Sequence, residues 1–262
     1  MVEEAIRTPT AAIISYHPPI FKPLSSFTLT NPLQKSLLLC AAQGISVFSP
    51  HTALDSVKGG INDWLSDIVL TVSPGSVEYV GVSKEDDLGG EGRLVRFQQP
   101  VGLDGLVNAI KKGLFLPASM CPTDAHTSII AQFFRVPTVQ LGRSAYPRSE
   151  KVTSVAICAG SGGSMLLGAD ADVYFTGEMS HVSLLACQSG NIQAYLATLK
   201  HEVLAAVASG RHVVLCGHTN TERGYLPKLA EKLREELKDS SFSGEGIEVH
   251  ISTQDRHPLE IV

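Results

Sequence analysis

Short apolar runs rich in β-branched residues alternate along this chain with longer segments in which apolar residues recur every three or four positions. The short runs are typical of buried strands, and the longer spacing is typical of amphipathic helices that pack on a sheet. The pattern predicts strands at Ala11–Ser15, Ile45–Ser49, Val152–Cys158, Ala171–Thr176, His212–Cys216 and Ile247–Ile251. Helices are predicted at Leu33–Gly44, Leu166–Gly168, His181–Gly190, Ile192–Ser209 and Tyr225–Leu237. Such alternation indicates βαβ units, so we expect an α/β fold with mixed, largely parallel sheets.

The middle of the chain departs from this alternation. Val77–Gly92 and Ser144–Lys151 are polar stretches with turn-forming residues, which predicts exposed loops. Between them, Gly105–Leu114 has helical spacing and Thr127–Phe134 is predicted as a strand. We therefore expect a single unit over residues 1–262 that divides into two α/β halves, at about 1–143 and 152–262.

Composition narrows the classes of function. The net charge is −5 and the basic residues form no run, which argues against a dedicated nucleic-acid binder, because such proteins carry a basic face. No apolar stretch is long enough for a membrane-spanning helix, and the charged N-terminus lacks the apolar core of a secretory signal. The five widely spaced cysteines are typical of reduced core residues. The sequence thus predicts an intracellular protein, cytoplasmic or nuclear, with no membrane association.

Residues that can bind metal ions follow several predicted strands, at the point where each strand ends. Because the carboxyl ends of parallel strands meet at the same edge of a sheet, side chains distant in sequence can meet there. Imidazole and carboxylate groups together suit Zn²⁺, Mn²⁺, Fe²⁺ or Mg²⁺, and a shared carboxylate can bridge two ions that activate water. Each residue also has a simpler interpretation, such as a hydrogen-bonded histidine or a carboxylate that complements a helix dipole. The residues concerned are His17, His51, Asp55, Glu178, His181, His218 and Glu222.

A glycine-rich turn, Ala159–Ser164, follows the predicted strand Val152–Cys158. Its backbone N–H groups could bind a phosphate, or its small residues could simply allow a tight turn into the next helix. Met165 stands where a dinucleotide-binding fingerprint has its third glycine, and neither Ser161 nor Ser164 lies in a serine-hydrolase motif. Both interpretations of the turn remain open on the sequence alone.

Several motifs carry a resemblance to a known family. In chain order they are Ser15–Phe21, Ser49–Asp55, Gly59–Leu65, Gly177–His181 and Gly217–Tyr225. Together they resemble the Nif-three family of dinuclear metal-centre proteins, also described as type 2 GTP cyclohydrolase I homologues, in its eukaryotic-type branch. The resemblance implies an α/β fold around a central metal cleft with two divalent ions. It also implies a homo-oligomer, between a dimer and a hexamer.

The resemblance further implies four metal ligands: His17, Asp55, His218 and Glu222, with Glu222 as the bridge. Tyr16 stands where many relatives have a second histidine, and a phenol is a weak metal ligand at neutral pH, so we expect one ion to bind less tightly. The family also has a further segment before the Tyr16 motif, which this chain is expected to lack.

Two functions of different classes follow. The first is a divalent-metal-dependent hydrolase that acts on a nucleotide or a phosphorylated small molecule, with His51 and His181 as candidate proton carriers. Glu178 could orient His181 or bind the substrate in that reaction. The second is a metal-binding regulatory or scaffold protein that acts through protein partners such as transcriptional adaptors, without direct binding of nucleic acid.

Overall fold

The computed structural model describes residues 1–83, 89–114, 139–180, 183–184, 199–239 and 247–255. Contacts within the chain define two compact units. Unit 1 comprises Met1–Leu54 together with the described part of Ala230–Leu259, and unit 2 comprises the described part of Asp55–Leu229. The division expected from the sequence, at about 1–143 and 152–262, stays a prediction.

Unit 1 contains a short two-stranded sheet and two helices near its N-terminus. These elements are α1 (Val2–Arg7), β1 (Ala12–Ile14), α2 (Pro32–Ala42) and β2 (Ser46–Phe48). Asn31 accepts hydrogen bonds from the first N–H groups of α2, and Pro32 occupies the first turn, where a missing N–H costs nothing. Both strands and the helix α2 lie within the ranges predicted for them or one residue outside, so these predictions are confirmed.

The two faces of this small sheet differ. β1 and β2 pair in parallel, with Ile14 opposite Phe48. Those two side chains are 42% and 62% exposed. On the opposite face, the partly buried Ile13 and Val47 pack against a buried cluster of Ala5, Cys40 and Ile45. Parallel sheets are usually covered on both faces, so the exposed face of this one is unusual.

The predicted strand Ile247–Ile251 is wrong, because its residues adopt no regular secondary structure. The carbonyl of Val249 accepts a hydrogen bond from Arg234 Nη2 at 2.6 Å. Thr253 lies a few residues further along the chain, and its backbone N–H donates to the carboxylate of Glu4 at 3.0 Å. Side chains therefore satisfy polar groups that a neighbouring strand would otherwise satisfy.

Unit 2 is built on a six-stranded sheet. Its strands are β3 (Gly75–Ser83), β4 (Gly90–Val101), β5 (Gln140–Gly142), β6 (Val152–Cys158), β7 (Val173–Thr176) and β10 (His212–Leu215). The order across the sheet is β3-β4-β6-β7-β10-β5. β8 (Ser183–Leu184) and β9 (Leu199–Lys200) form a separate antiparallel pair. β6, β7 and β10 pair in parallel, whereas β3, β4 and β5 join the sheet in antiparallel pairings.

The sheet is therefore mixed and not largely parallel, which corrects the prediction. The difference arises in Val77–Gly92, which the sequence pattern places in an exposed loop. The described parts of that stretch belong to an antiparallel hairpin of β3 and β4. Glu91, Arg93 and Arg96 give β4 a polar sequence, although Arg93 is fully buried. Charged residues are rarely buried without a partner, and the partner of Arg93 is not visible from local sequence.

Helices complete unit 2, and the first and last of them extend into the residues of unit 1. They are α3 (Thr52–Ser56), α4 (Ile61–Leu70), α5 (Leu103–Leu114), α6 (Gly163–Leu166), α7 (Glu202–Ala208), α8 (Asn220–Arg223) and α9 (Leu226–Asp239). α4 contacts β4 and β6, and α7 contacts β10. Within the described ranges, no helix combines the length and hydropathy that crossing a membrane requires.

The helix predictions have mixed outcomes. Those at Gly105–Leu114 and Tyr225–Leu237 are confirmed by α5 and α9, each to within two residues. The prediction at Ile192–Ser209 holds only from Glu202, where α7 begins. The prediction at His181–Gly190 is wrong at Ser183–Leu184, which is strand β8, and its other residues lie outside the described ranges. The predicted strand Thr127–Phe134 also lies outside them.

An ion pair between a buried guanidinium and a partly exposed carboxylate joins β4 to α4. The guanidinium of Arg93 is fully buried, and its Nε lies 2.5 Å from Oδ1 of Asp63 in the first turn of α4. Its remaining N–H groups donate to the backbone carbonyls of Ser56, Val57, Gly90 and Gly92. The guanidinium also lies 4.6 Å from the ring centroid of Tyr79 on β3. One side chain therefore connects the hairpin, α4 and the end of α3.

We predict that Asp63→Ala lowers the free energy of unfolding by about 3–5 kcal/mol, because it leaves the charge of Arg93 buried without its partner. Asp67→Ala is the matched control on the same helix, since Asp67 forms an exposed ion pair with Lys228 at 2.9 Å. That change should cost less than about 1 kcal/mol. Urea denaturation of both variants measures the difference, and equal losses would contradict the role assigned to Arg93.

Candidate metal centre

In unit 1, the ends of β1 and β2 bring two of the predicted site residues together. The ring centroids of His17 and His51 are 5.6 Å apart, and Tyr16 lies 4.8 Å from His17 and 5.7 Å from His51. The N–H of His51 donates to the carbonyl of Tyr16 at 3.0 Å. Parallel pairing of β1 with β2 explains the proximity, because both strands end at the same edge.

His51 has an unusual backbone conformation. Among the described residues it is the one non-glycine with a positive φ, at 43°. This left-handed region is unfavourable for a residue with a Cβ atom, so the surrounding contacts must stabilise it. The ring of Phe21 packs edge-on against His51 at 5.3 Å, in addition to the contacts with Tyr16 and His17. The imidazole of His51 is therefore placed by its neighbours in unit 1.

In unit 2, the ends of β7 and β10 carry a second group of predicted residues. Nε2 of His218 lies 2.9 Å from Oε1 of Glu222, and Nδ1 of His218 lies 3.3 Å from Oε2 of Glu178. His218 follows β10, and Glu222 follows it by one helical turn in α8, which places both side chains on the same face. Glu222 is only 7% exposed, whereas Glu178 is largely exposed.

The two carboxylates determine the charge state of His218. Its hydrogen bond with Glu222 raises the pKa of His218 to about 9, against the opposing effect of burial, and the contact with Glu178 adds to the rise. The local field therefore favours a positive charge between Glu178 and Glu222. A divalent cation would meet the same field, which is a first indication that the group suits a metal ion.

A glycine turn after β6 leaves room beside this group. Gly160 has a φ of +60°, and a Cβ atom there would lie 2.7 Å from Glu222 Oε1 and 3.0 Å from His218 Nε2. Gly177 after β7 is similarly close, since a Cβ atom would lie 2.8 Å from the Cα of His218. A Cβ atom at position 160 would therefore displace the side chains of Glu222 and His218, whereas at position 177 it would collide with backbone atoms.

Three backbone N–H groups of this turn donate to side chains of the protein. The N–H of Ala159 donates to Asn62 Oδ1 at 2.8 Å, and that of Gly160 donates to Thr221 Oγ1 at 2.9 Å. The N–H of Gly162 donates to Thr176 Oγ1 at 3.0 Å. These three donors are not available to a phosphate, and their bonds to three separate elements are consistent with a tight turn packed into the core.

Asp55 opens unit 2 within α3. Its backbone carbonyl accepts a hydrogen bond from Asn62 Nδ2 at 3.1 Å.

The two cysteine thiols of this region are held in their protonated form. Burial raises the pKa of the Cys158 thiol to about 12, and the negative charges of Asp55 and Glu91 add to the rise. Burial also raises the pKa of Cys216 to about 12. Neither thiol is therefore a reactive thiolate at neutral pH.

The donor chemistry of these residues fits a divalent metal ion. His17 in unit 1 and His218 and Glu222 in unit 2 each offer one imidazole nitrogen or carboxylate oxygen of the kind that transition metals prefer. The space that Gly160 leaves beside Glu222 and His218 is consistent with that use. His181, a predicted proton carrier, lies outside the described residues, and its position stays a prediction.

Sequence reasoning missed the residues that support this group. Asn62, Thr176 and Thr221 are all fully buried, and each bonds the glycine turn from a different element. Thr221 also donates to the carbonyl of His218 at 2.8 Å. Thr221 lies in the motif Gly217–Tyr225, and Asn62 lies in the motif Gly59–Leu65. Their places in these motifs could have identified them from the sequence.

Comparisons with known proteins show which family this sequence resembles. A family model described as Duf34/NIF3 (NGG1p interacting factor 3) matches residues 1–198 and 197–258. The chain is 36% identical over 274 residues to the protein NIF3 homolog of Schizosaccharomyces pombe, covering 99% of this chain and 80% of that protein. It is 34% identical over 270 residues to NGG1-interacting factor 3 of Saccharomyces cerevisiae, covering 100% of this chain and 77% of that protein.

Solved structures share the fold at lower sequence identity. A Bacillus cereus protein related to NIF3 matches with a TM-score of 0.68 and 17% identity, over 100% of this chain and 86% of that chain. Reduced HcgD from Methanocaldococcus jannaschii matches with a TM-score of 0.58 and 21% identity, over 90% of this chain and 75% of that chain. At these identities the likeness concerns the fold alone.

We predict that Gly160→Ala is more damaging than Gly44→Ala, although both glycines have a similar positive φ. A Cβ atom at Gly44 meets nothing within 4 Å, so that control carries only the backbone cost of about 1–2 kcal/mol. At Gly160 the added methyl group must also separate Glu222 from His218. The pKa of His218, measured by NMR on metal-free protein, should therefore fall from about 9 toward its ordinary 6.5 in Gly160→Ala alone. An unchanged pKa would contradict the close approach.

Proposed function

Because the chain belongs to the Duf34/NIF3 family, we propose that it is a divalent-metal-dependent, hydrolase-like protein with a dinuclear metal centre. Its substrate would be a nucleotide or a phosphorylated small molecule. The observation that carries the proposal is the environment of His218, whose two ring nitrogens face the carboxylates of Glu178 and Glu222 at the ends of two parallel strands. Such a donor set suits Zn²⁺, Mn²⁺ or Fe²⁺, and its carboxylates also suit Mg²⁺.

The proposed ligands are the four residues expected from the sequence: His17, Asp55, His218 and Glu222. Glu222 is the bridging ligand in this proposal, because it is nearly buried and its Oε1 lies next to Nε2 of His218. The sequence motifs support the inclusion of His17 and Asp55. Tyr16 offers only a phenol, so one of the two ions should bind less tightly than the other.

A divalent ion in this centre would polarise a substrate oxygen and lower the pKa of a coordinated water. Nδ1 of His218 lies 3.3 Å from Oε2 of Glu178, a contact that would orient the ring, and a bound ion would replace the proton that Nε2 shares with Glu222. We assign proton transfer to His51 and His181, because imidazoles both donate and accept protons at neutral pH. Ring contacts with Tyr16 and His17 hold His51 in a defined position, which such a role requires.

A second candidate is a metal-binding regulatory or scaffold protein that acts through a protein partner. The name of the relative NGG1-interacting factor 3 supports this alternative, and a transcriptional adaptor would be the corresponding partner here. An intracellular location, cytoplasmic or nuclear, suits either function and stays a prediction.

A turnover screen separates the two functions. Metal-loaded protein is tested on nucleotides, phosphoesters and cyclic phosphates, with Glu222→Ala as the inactive control. Hydrolysis that disappears in the variant supports the enzyme. Absence of turnover on all substrates, together with partner binding that needs the metal, would favour the scaffold.

We predict that protein purified without chelator contains bound divalent metal, and that Glu222→Ala loses more of it than Asp55→Ala. The loss of a bridging carboxylate affects both ions, whereas the loss of a terminal ligand affects one. Elemental analysis measures the metal per chain. Glu248→Ala is the matched control, because Glu248 forms an exposed pair with His250 at 2.8 Å and should keep its metal content. A protein that contains no metal and takes none up would contradict the centre, and equal losses would contradict bridging.

Exposed apolar side chains in unit 1 support the proposed homo-oligomer. Phe21, Leu29 and Phe48 are each more than 60% exposed, and residues 5–54 contain no Asp or Glu. Clusters of exposed apolar residues mark interaction surfaces in many proteins. We therefore assign part of this surface to contacts between copies of the chain.

We predict that the protein sediments without a stable monomer at micromolar concentration, and that Phe48→Glu shifts it toward smaller species. A buried carboxylate in an apolar interface costs several kcal/mol unless it finds a partner. Tyr146→Glu is the control, since Tyr146 is 88% exposed in unit 2 and should leave the assembly unchanged. A wild-type monomer would contradict the proposal.

A further inference from the structure

Asn62, in the first turn of α4, is fully buried and uses its side-chain amide almost completely. Nδ2 donates to the carbonyl of Asp55 at 3.1 Å and to the carbonyl of Glu91 at 2.9 Å. Oδ1 accepts the N–H of Ala159 at 2.8 Å. Because both partners of Nδ2 are acceptors and the partner of Oδ1 is a donor, only one orientation of the amide satisfies all three.

These three hydrogen bonds connect distant parts of unit 2. Asp55 is a proposed metal ligand, and Ala159 is the residue before Gly160, whose backbone lies against Glu222 and His218. Glu91 lies on β4, so its hydrogen bond fixes the side-chain amide of Asn62 against that strand. Asn62 is thus bonded through Nδ2 to the backbone of Asp55, and through Oδ1 to the glycine turn that lies against His218 and Glu222.

The folding of α4 against β4 does not depend on Asn62 alone. Arg93 already joins β4 to Asp63 on α4 and to the carbonyls of Ser56 and Val57. What Asn62 adds is the link from Asp55 to Ala159, which none of the Arg93 contacts makes. A buried amide is costly to desolvate, so a position that only filled space would favour an apolar side chain.

We propose that Asn62 is a positioning residue of the metal centre, which sets the distance between the Asp55 segment and the glycine turn that lies against His218 and Glu222. This inference rests on the proposed metal-binding function. Residues that orient metal ligands through hydrogen bonds typically contribute about 10- to 100-fold to metal affinity. The same range is expected for Asn62.

Zn²⁺ affinity, measured by competition with a chelating dye on the full chain, tests the inference. Asn62→Ser, whose hydroxyl is too short to span the three partners, should bind Zn²⁺ about 10- to 100-fold more weakly than wild type. Ser66→Ala is the matched control, because Ser66 is buried one turn later and bonds only the backbone carbonyl of Asn62, at 2.8 Å. That variant should keep the wild-type affinity. Thermal unfolding of each metal-free variant records its stability separately.

A double-mutant cycle separates positioning from a general loss of stability. If Asn62 acts by placing Asp55, the loss caused by Asn62→Ser should be smaller in an Asp55→Asn background than in wild type. If Asn62→Ser does not fold, Asn62→Leu replaces it, since it keeps about the same side-chain volume and adds no charge but removes both donors and the acceptor. The same loss of Zn²⁺ affinity is expected from it.

The outcomes distinguish this inference from the function on which it rests. A wild-type protein that binds no Zn²⁺, Mn²⁺ or Fe²⁺ overturns the proposed metal centre itself. If wild type binds Zn²⁺ but Asn62→Ser binds it equally well, the positioning role is overturned and the centre stands. The role is also overturned if Ser66→Ala lowers affinity as much, or if the effects of Asn62→Ser and Asp55→Asn combine without coupling.

Discussion

The organisation of unit 2 depends on the burial of one positive charge. A guanidinium without access to water must be compensated by a carboxylate and by hydrogen-bond acceptors, because breaking a buried pair costs several kcal/mol. Arg93 meets this requirement with Asp63 and with carbonyls from two separate segments. These partners belong to β4, to α4 and to the end of α3. Their relative positions are therefore coupled through one side chain, and the segment that begins with Asp55 is among those it holds.

The candidate metal group follows from the parallel part of the sheet. β6, β7 and β10 run in the same direction, so the Gly160 turn, Glu178 and His218 emerge at the same edge. Close approach of these three segments requires small residues, which explains the glycines at 160 and 177. The antiparallel strands β3, β4 and β5 extend the sheet, and the starts of β4 and β5 lie at the same edge. The residues of the candidate group nevertheless come from the loops that follow the parallel strands.

The polar residues around this group have their hydrogen bonds satisfied within the protein. Asn62, Thr176 and Thr221 bond successive parts of the glycine turn, and Thr221 also bonds the backbone of His218. A group held in this way is preorganised, so little conformational entropy would be lost if an ion bound there. The two carboxylates beside His218 supply the negative field. Together these features make the group suitable for a divalent cation.

The sequence by itself determined the elements whose pattern is local. β6 has the bounds predicted for it, and α9 begins next to Pro227, because apolar spacing and proline act within a few residues. It also placed Glu178 and His218 just after two strands, with Glu222 at the start of the following helix, and strands that run in parallel share an edge. Only the tertiary structure decided the β3–β4 hairpin, the burial of Arg93 and the role of Asn62. Asn62 and Ala159 are 97 residues apart, and Gly160 and Thr221 are 61 apart. The spacing of apolar residues along the chain does not show which distant hydrogen-bond donor meets which acceptor. These contacts form only when the sheet brings the distant segments together.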